Sequence, residues 1–240
     1  MKRKEFIKKL GMGSMIIPIF ASCSKEEDPT PSNEGNGNPG ENVANCTNTA
    51  TETAGPFPTK DPSSLLISDI RADRTGVLLN VTLTIYDQSK DCVPLEGALV
   101  DIWHCDKDGY YSEYGGSGMQ NVNYNSVHFL RGRQITDENG VVEFITIFPG
   151  WYQGRSTHIH VHIYDESGQS LLVTQIAFPE GNNSAVYTVN AASEYGYTKG
   201  MSGYTYNEND NVFSDGVNTE LAEISGSLEE GYSLNHGIVV

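Results

Sequence analysis

The stretch 157–164, THIHVHIY, constrains the fold of this chain more than any other. Polar and aliphatic residues alternate strictly, which is the period of a β-strand buried on one face. On such a strand Ile159, Val161 and Ile163 face a core, while His158, His160 and His162 share the other face. Two imidazoles so placed are close enough to share a metal ion; His162, two residues further along, need not reach it. Residues 77–86 (VLLNVTLTIY), 98–103 (ALVDIW), 141–147 and 171–178 read as further strands, the last as the partner of 157–164. Thr136-Asp137-Glu138-Asn139-Gly140 is a turn signal before 141–147, and Pro149-Gly150 ends that strand. Only 220–224 reads as a short helix. Many short strands with turns between them predict an all-β fold, an antiparallel β-sandwich with long loops and little helix.

Residues 1–23 read as an export signal. A basic stretch from Lys2 to Lys9 precedes an apolar one, and Ala21-Ser22-Cys23 resembles a lipoprotein cleavage site with Cys23 as the lipidated residue. Arg3-Lys4-Glu5-Phe6-Ile7-Lys8 also resembles a twin-arginine motif, so the route of export is open between that and the general one. The apolar run is too short to span a bilayer. Residues 24–50 are polar and rich in Glu, Asn, Gly and Pro, the composition of a flexible linker. The expected organisation is therefore signal 1–23, linker 24–50 and a catalytic β-sandwich domain 51–240. The expected location is a lipid anchor on the bacterial outer membrane, facing the periplasm or the cell surface. With Cys23 set aside, Cys46, Cys92 and Cys105 remain; an exported compartment permits one disulfide, with Cys46–Cys92 the expected pair. Net charge is −16, a surface that repels phosphate backbones and excludes nucleic acid as a partner.

An HxH pair alone is a weak signal, since such a pair also serves structural ends. Its company strengthens it. Phe148-Pro149-Gly150-Trp151-Tyr152 lies upstream, and Trp103-His104-Cys105-Asp106-Lys107-Asp108-Gly109-Tyr110-Tyr111-Ser112 follows the strand 98–103. Together these segments resemble the intradiol ring-cleavage dioxygenases, the family of protocatechuate 3,4-dioxygenase and catechol 1,2-dioxygenase, over roughly residues 51–185 and most closely its compact exported members. The resemblance implies four ligands to Fe(3+). Tyr111 falls in a W-x5-G-x frame with Trp103 and Gly109, Tyr152 follows Pro-Gly-x, and His158 and His160 fall in an R-x-x-H-x-H frame that begins at Arg155. It also implies that Tyr152 and His158 are axial, with Tyr152 the ligand that leaves, and that Tyr111 and His160 are equatorial. Gln175 matches a T-Q frame, and Thr53-Ala54-Gly55-Pro56-Phe57 matches a segment at the pocket rim.

The chemistry suits these residue types. A free Tyr has a pKa of about 10, and a trivalent cation strongly favours its phenolate. Two tyrosinates and a hydroxide balance the charge of Fe(3+), and a catechol dianion replaces one tyrosinate and the hydroxide without changing it. The implied activity is cleavage of a catechol-type ring by O2 between the hydroxyl-bearing carbons, giving a muconate-type diacid. Arg155 is the expected stabiliser of carbanion character on the ring, with Gln175 orienting it or the substrate. Tyr110, His104 and His128 read as packing or structural groups, and Trp151 as either pocket lining or core. Two rivals stand beside this reading. One is a cupin-like site in which His158, His160 and His162, or two of them with Asp165 or Glu166, hold zinc or iron(II). The other is a surface module that binds catechol compounds at an inactive metal site. The substituents of the catechol and the oligomeric state are not readable from the sequence.

Overall fold

A computed structural model describes residues 46–240; the expected signal and nearly all of the expected linker, Cys23 included, lie outside the described residues. The strands are β1 (Leu78–Asp87), β2 (Val93–Pro94), β3 (Leu99–Trp103), β4 (Arg131–Ile135), β5 (Val141–Ile147), β6 (His158–Tyr164), β7 (Ser170–Ala177), β8 (Glu223–Ser227) and β9 (Gly231–Val239). The one α-helix among the described residues, α1 (Ala185–Asn190), is capped by Ser184, whose side chain accepts from the Tyr187 N–H.

Two sheets form the sandwich. The four-stranded sheet runs β4-β3-β6-β7, antiparallel throughout. The other runs β2-β1-β9-β8 with β5 also on β1, and there β1 and β9 pair in parallel. The core lies between them. Val100, Ile102, Ile159, Val161, Ile163 and Ile176 from one sheet meet Leu79, Val81, Leu83, Ile85, Phe144 and Leu234 from the other, all almost fully buried. Each such side chain contributes about 1.5–3 kcal/mol on leaving water.

The face of the four-stranded sheet turned away from this core positions the site. The register sets Trp103 opposite both Arg131 and His160, and His160 opposite Gln175. All four are buried although they point away from the core, because loops cover this end of the face.

The five expected strands are present with ends shifted by at most one residue, and β7 pairs with β6 as expected. Residues 220–224 are not a helix. Glu220 ends a turn, Leu221 bridges Ala177, and Glu223 begins β8, because pairing with β9 satisfies this backbone. Cys46 and Cys92 form the expected disulfide, 46 residues apart, and Cys105 is a buried free thiol. Closing a loop of that length stabilises the fold by about 4 kcal/mol in the chain-entropy account.

Candidate metal centre

β6 presents His158 and His160 with their Nε2 atoms 3.2 Å apart. The His160 ring lies parallel to the Trp103 indole, centroids 4.9 Å apart. His158 Nδ1 stands 2.7 Å from the Ser156 carbonyl oxygen. That contact needs the proton on Nδ1, so Nε2 turns its lone pair into the site. Burial is the main cause keeping both rings neutral: it pushes His158 down to about 3 and His160 well below the ordinary imidazole value.

Tyr111 and Tyr152 arrive on two loops that touch. In the first, Asp106 Oδ1 accepts from the N–H groups of Asp108 and Tyr110. Gly109 there has φ +90°, and a Cβ on it would strike the Trp151 carbonyl. Gly150 approaches the carbonyls of Asp106 and Lys107 as closely. Only glycine allows this contact. As a result Tyr111 Oη stands 3.2 Å from His158 Nε2, and the Tyr152 ring meets Tyr111 and His158 edge-on at 5.8 and 5.9 Å. Tyr111 is fully buried and Tyr152 partly so. Phe57 stacks on Tyr111 at 4.9 Å, and Gly55 packs against the His160 ring.

Arg155 closes the site. Its Nη1 lies 3.5 Å from Tyr152 Oη and 3.4 Å from His158 Nε2. Its Nη2 donates to Gln175 Oε1 at 2.5 Å, and Gln175 Nε2 donates to the Thr53 carbonyl at 2.7 Å. The six residues expected from the sequence therefore converge: Tyr111, Tyr152, Arg155, His158, His160 and Gln175.

Two charged residues were missed. Asp210 takes Arg155 Nε at 2.8 Å on each oxygen and also accepts from the N–H and hydroxyl of Ser156. Arg131, completely buried, donates to Ser112 and to the Phe57 carbonyl, joining the loop of Tyr111 to the segment of Phe57. Nothing in the sequence around Asp210 marked it.

Other expectations resolve at the same place. His104 is structural, its ring bonded to Thr146 Oγ1 and the Cys105 carbonyl. His128 pairs with Glu113. Trp151 packs in the core. Tyr110 is not mere packing: it lines a cavity of about 470 Å³ beside Tyr152 and Phe57, because Gly109 turns the chain there. The cupin-like alternative does not assemble. His162 bonds Ser170 and Tyr164 instead, and Asp165 closes its own turn by accepting from Ser167 and Gln169.

The donor set fits a ferric ion. Two neutral imidazole nitrogens and two phenol oxygens converge, and one imidazole has its tautomer fixed by a carbonyl. Among the described residues no group of three or more His, Cys, Asp or Glu is spaced to hold a metal, so a site of at least three donors needs the phenols. Burial pushes the Tyr111 phenol well above its ordinary value and raises Tyr152 too; a trivalent cation held beside them would supply the opposing force.

Glu220, whose carbonyl accepts from the Ala177 N–H, is also buried, with neither carboxylate oxygen hydrogen-bonded. Burial, then the charges of Glu52 and Asp215, push it up to about 8. Folded Glu220 thus keeps a proton that the unfolded chain releases above about 4.5. Its contribution is full below that value and is lost as pH rises to about 8. Glu220→Gln is expected to raise the melting temperature at pH 8 relative to wild type, with the gain shrinking toward pH 4.5. Melting curves across that range test it; an equal gain at both ends refutes the assignment.

Comparison with known proteins agrees with this geometry. A family model described as "Dioxygenase" matches residues 59–201. The chain is 30% identical to the chlorocatechol 1,2-dioxygenase of Rhodococcus opacus over 142 residues, covering 51% of each. It is 32% identical to the catechol 1,2-dioxygenase of Acinetobacter baylyi, covering 45% of this chain and 38% of that one. It therefore spans about half the length, or less, of these relatives. A solved intradiol ring-cleavage dioxygenase from Tetranychus urticae is matched more fully: TM-score 0.70, 32% identity, 81% of this chain and 94% of that one. By the match of the family model over more than half its length, this chain belongs to the intradiol ring-cleavage dioxygenase family.

Proposed function

We propose that the protein is a non-haem iron(III) dioxygenase that opens a catechol-type ring with O2 between the two hydroxyl-bearing carbons, giving a muconate-type diacid. The observation that carries this is the convergence of the Tyr111 and Tyr152 phenols with His158 Nε2 and His160 Nε2 beside the Arg155 guanidinium. These four residues would hold the iron, which when bound draws electron density from the catecholate and prepares the ring carbon for O2.

The remaining work falls to the protein. Tyr152 Oη, the more accessible phenol and 3.5 Å from Arg155 Nη1, is placed to receive a proton from a substrate hydroxyl. Arg155 stabilises negative charge on the attacked carbon, and Gln175 and Asp210 fix its plane. Phe57 covers Tyr111 and keeps water from the ring. The sequence further supports export and anchoring through Cys23, with residues 51–240 as the catalytic domain.

The test is oxygen uptake with a panel of catechols on iron-loaded protein. The expected result is a deep red protein that consumes one O2 per ring and releases a diacid. A colourless, zinc-loaded protein would overturn the proposal, and a red protein inert toward every catechol would favour the binding module. Labelling with a radioactive fatty acid, lost in Cys23→Ala, tests the anchor.

A further inference from the structure

The cavity of about 470 Å³ beside Tyr152 is larger than a single ring requires and falls in the range of ligands with several groups. Phe57 and Tyr152, both in contact with Tyr111, form its inner wall. Beyond them the wall is made by Tyr110, Asp108, Met119 and Lys199.

Lys199 is unusual here. Acidic residues outnumber basic ones 31 to 15, and most described cations sit in ion pairs. Lys199 does not. Its ammonium donates to the Trp151 carbonyl at 2.6 Å and lies 3.8 Å from the centre of the Trp151 ring. Asp108, the carboxylate on the same wall, is taken by Lys107 at 2.8 Å. Lys199 is exposed at the rim of the cavity, and the covering of its inner part lowers its pKa against the opposing charges of Asp108 and Asp106. An ammonium carries three donors, so two remain after the Trp151 carbonyl.

We propose that Lys199 binds an anionic group carried on a side chain of the substrate, so that the enzyme prefers catechols bearing a carboxylate at the end of a short chain over uncharged ones. This rests on the ring-cleavage reading and adds its substrate class. The ring sits at the end of the cavity walled by Phe57 and Tyr152, and the chain runs past Tyr110 toward the ammonium. A charge-assisted hydrogen bond, about twice as strong as a neutral one, is enough to discriminate. Met119, 73% exposed on the opposite loop, leaves room for chains of different length.

The test compares 3,4-dihydroxycinnamate with its methyl ester, which share a shape and differ in charge. In wild type the ratio of kcat/KM, acid over ester, is expected to be about 10 or more. Lys199→Gln keeps a donor for the Trp151 carbonyl but removes the charge, and is expected to bring the ratio near 1, mostly through KM. Lys199→Arg is expected to retain the preference. Added salt should reduce the wild-type ratio and leave that of Lys199→Gln unaltered. Equal ratios in wild type and Lys199→Gln overturn the proposal, since a lysine that only pins Trp151 would affect both substrates alike. Calorimetric titration of both compounds reads the same preference as a ratio of Kd values. It judges Lys199 even if no ring is opened, a result that counts against the ring-cleavage reading alone.

Discussion

Tyr111→Phe is expected to cost the protein its colour, at least two orders of magnitude of iron affinity and about 10³ in turnover, while leaving the fold intact. The substitution removes one oxygen from a ring that stays buried between Phe57 and the histidines. No cavity forms, and among the described residues Tyr111 Oη hydrogen-bonds only His158 Nε2. Stability should therefore change by less than about 1 kcal/mol. Losing even an outer partner of a metal ligand costs about 10–100-fold in affinity, so losing the ligand itself should cost more. Lost electrostatic stabilisation of about 4 kcal/mol corresponds to a factor of about 10³ in rate. Iron content per chain, the visible spectrum and oxygen uptake check this together. A variant with full iron and an unchanged spectrum would refute Tyr111 as a ligand.

Asp210→Ala should do the reverse, harming stability as much as chemistry. The carboxylate is 99% buried and accepts from Arg155 Nε, the Ser156 N–H and hydroxyl, and the Val212 N–H. Removing it strands the Arg155 guanidinium in a site shared with two imidazoles. Breaking a buried pair in this way costs about 3–5 kcal/mol, or about 6–20 °C in melting temperature for a domain of this size. Burial pulls the Asp210 pKa up, but the Ser156 N–H and the Arg155 charge outweigh it and hold the carboxyl below its ordinary value. The stabilisation is thus present at neutral pH and lost as pH falls through the acid range. The destabilisation by Asp210→Ala should shrink below about pH 4 for the same reason. Asp210→Asn, which keeps an acceptor for Nε, should fall between. Turnover should drop in both variants, because a tilted Arg155 no longer faces the ring. Melting curves at pH 4 and 7 with rates at saturating substrate separate these outcomes; a pH-independent loss of stability would show that the ion pair is not the cause.

What the sequence revealed follows from how locally each feature is encoded. The faces of β6 were legible because alternation is a property of neighbours: Ile159 and His160 point opposite ways whatever surrounds them. The two tyrosines became legible only through spaced frames that resemble a family, since nothing local marks Tyr111 over Tyr110. β4 was missed because RGRQI places Arg131 and Arg133 on the outer face, and the intervening Gly132 leaves room for the Ile70 side chain. β9 was missed because Gly, Ser, Asn and His interrupt it, and its parallel partner β1 is some 150 residues away in sequence. The 220–224 segment has helix-forming residues, but tertiary pairing with β9 overrides that preference. Asp210 was invisible because its contacts with Arg155 and Ser156 come from segments that meet only in three dimensions.

The two-sided character of β6 has an evolutionary consequence. Its odd-numbered residues build the core, and two of its even-numbered ones, His158 and His160, are the proposed ligands, so both are written in one reading frame of the strand. A single-residue insertion or deletion there would turn imidazoles inward and isoleucines outward, destroying stability and activity in the same event. Intermediates that keep the fold while trying new ligands are thereby closed off along this strand. The loops carrying Met119 and Lys199 bear no such double duty. Change in those loops can therefore alter the proposed substrate choice without disturbing the proposed ligands on β6.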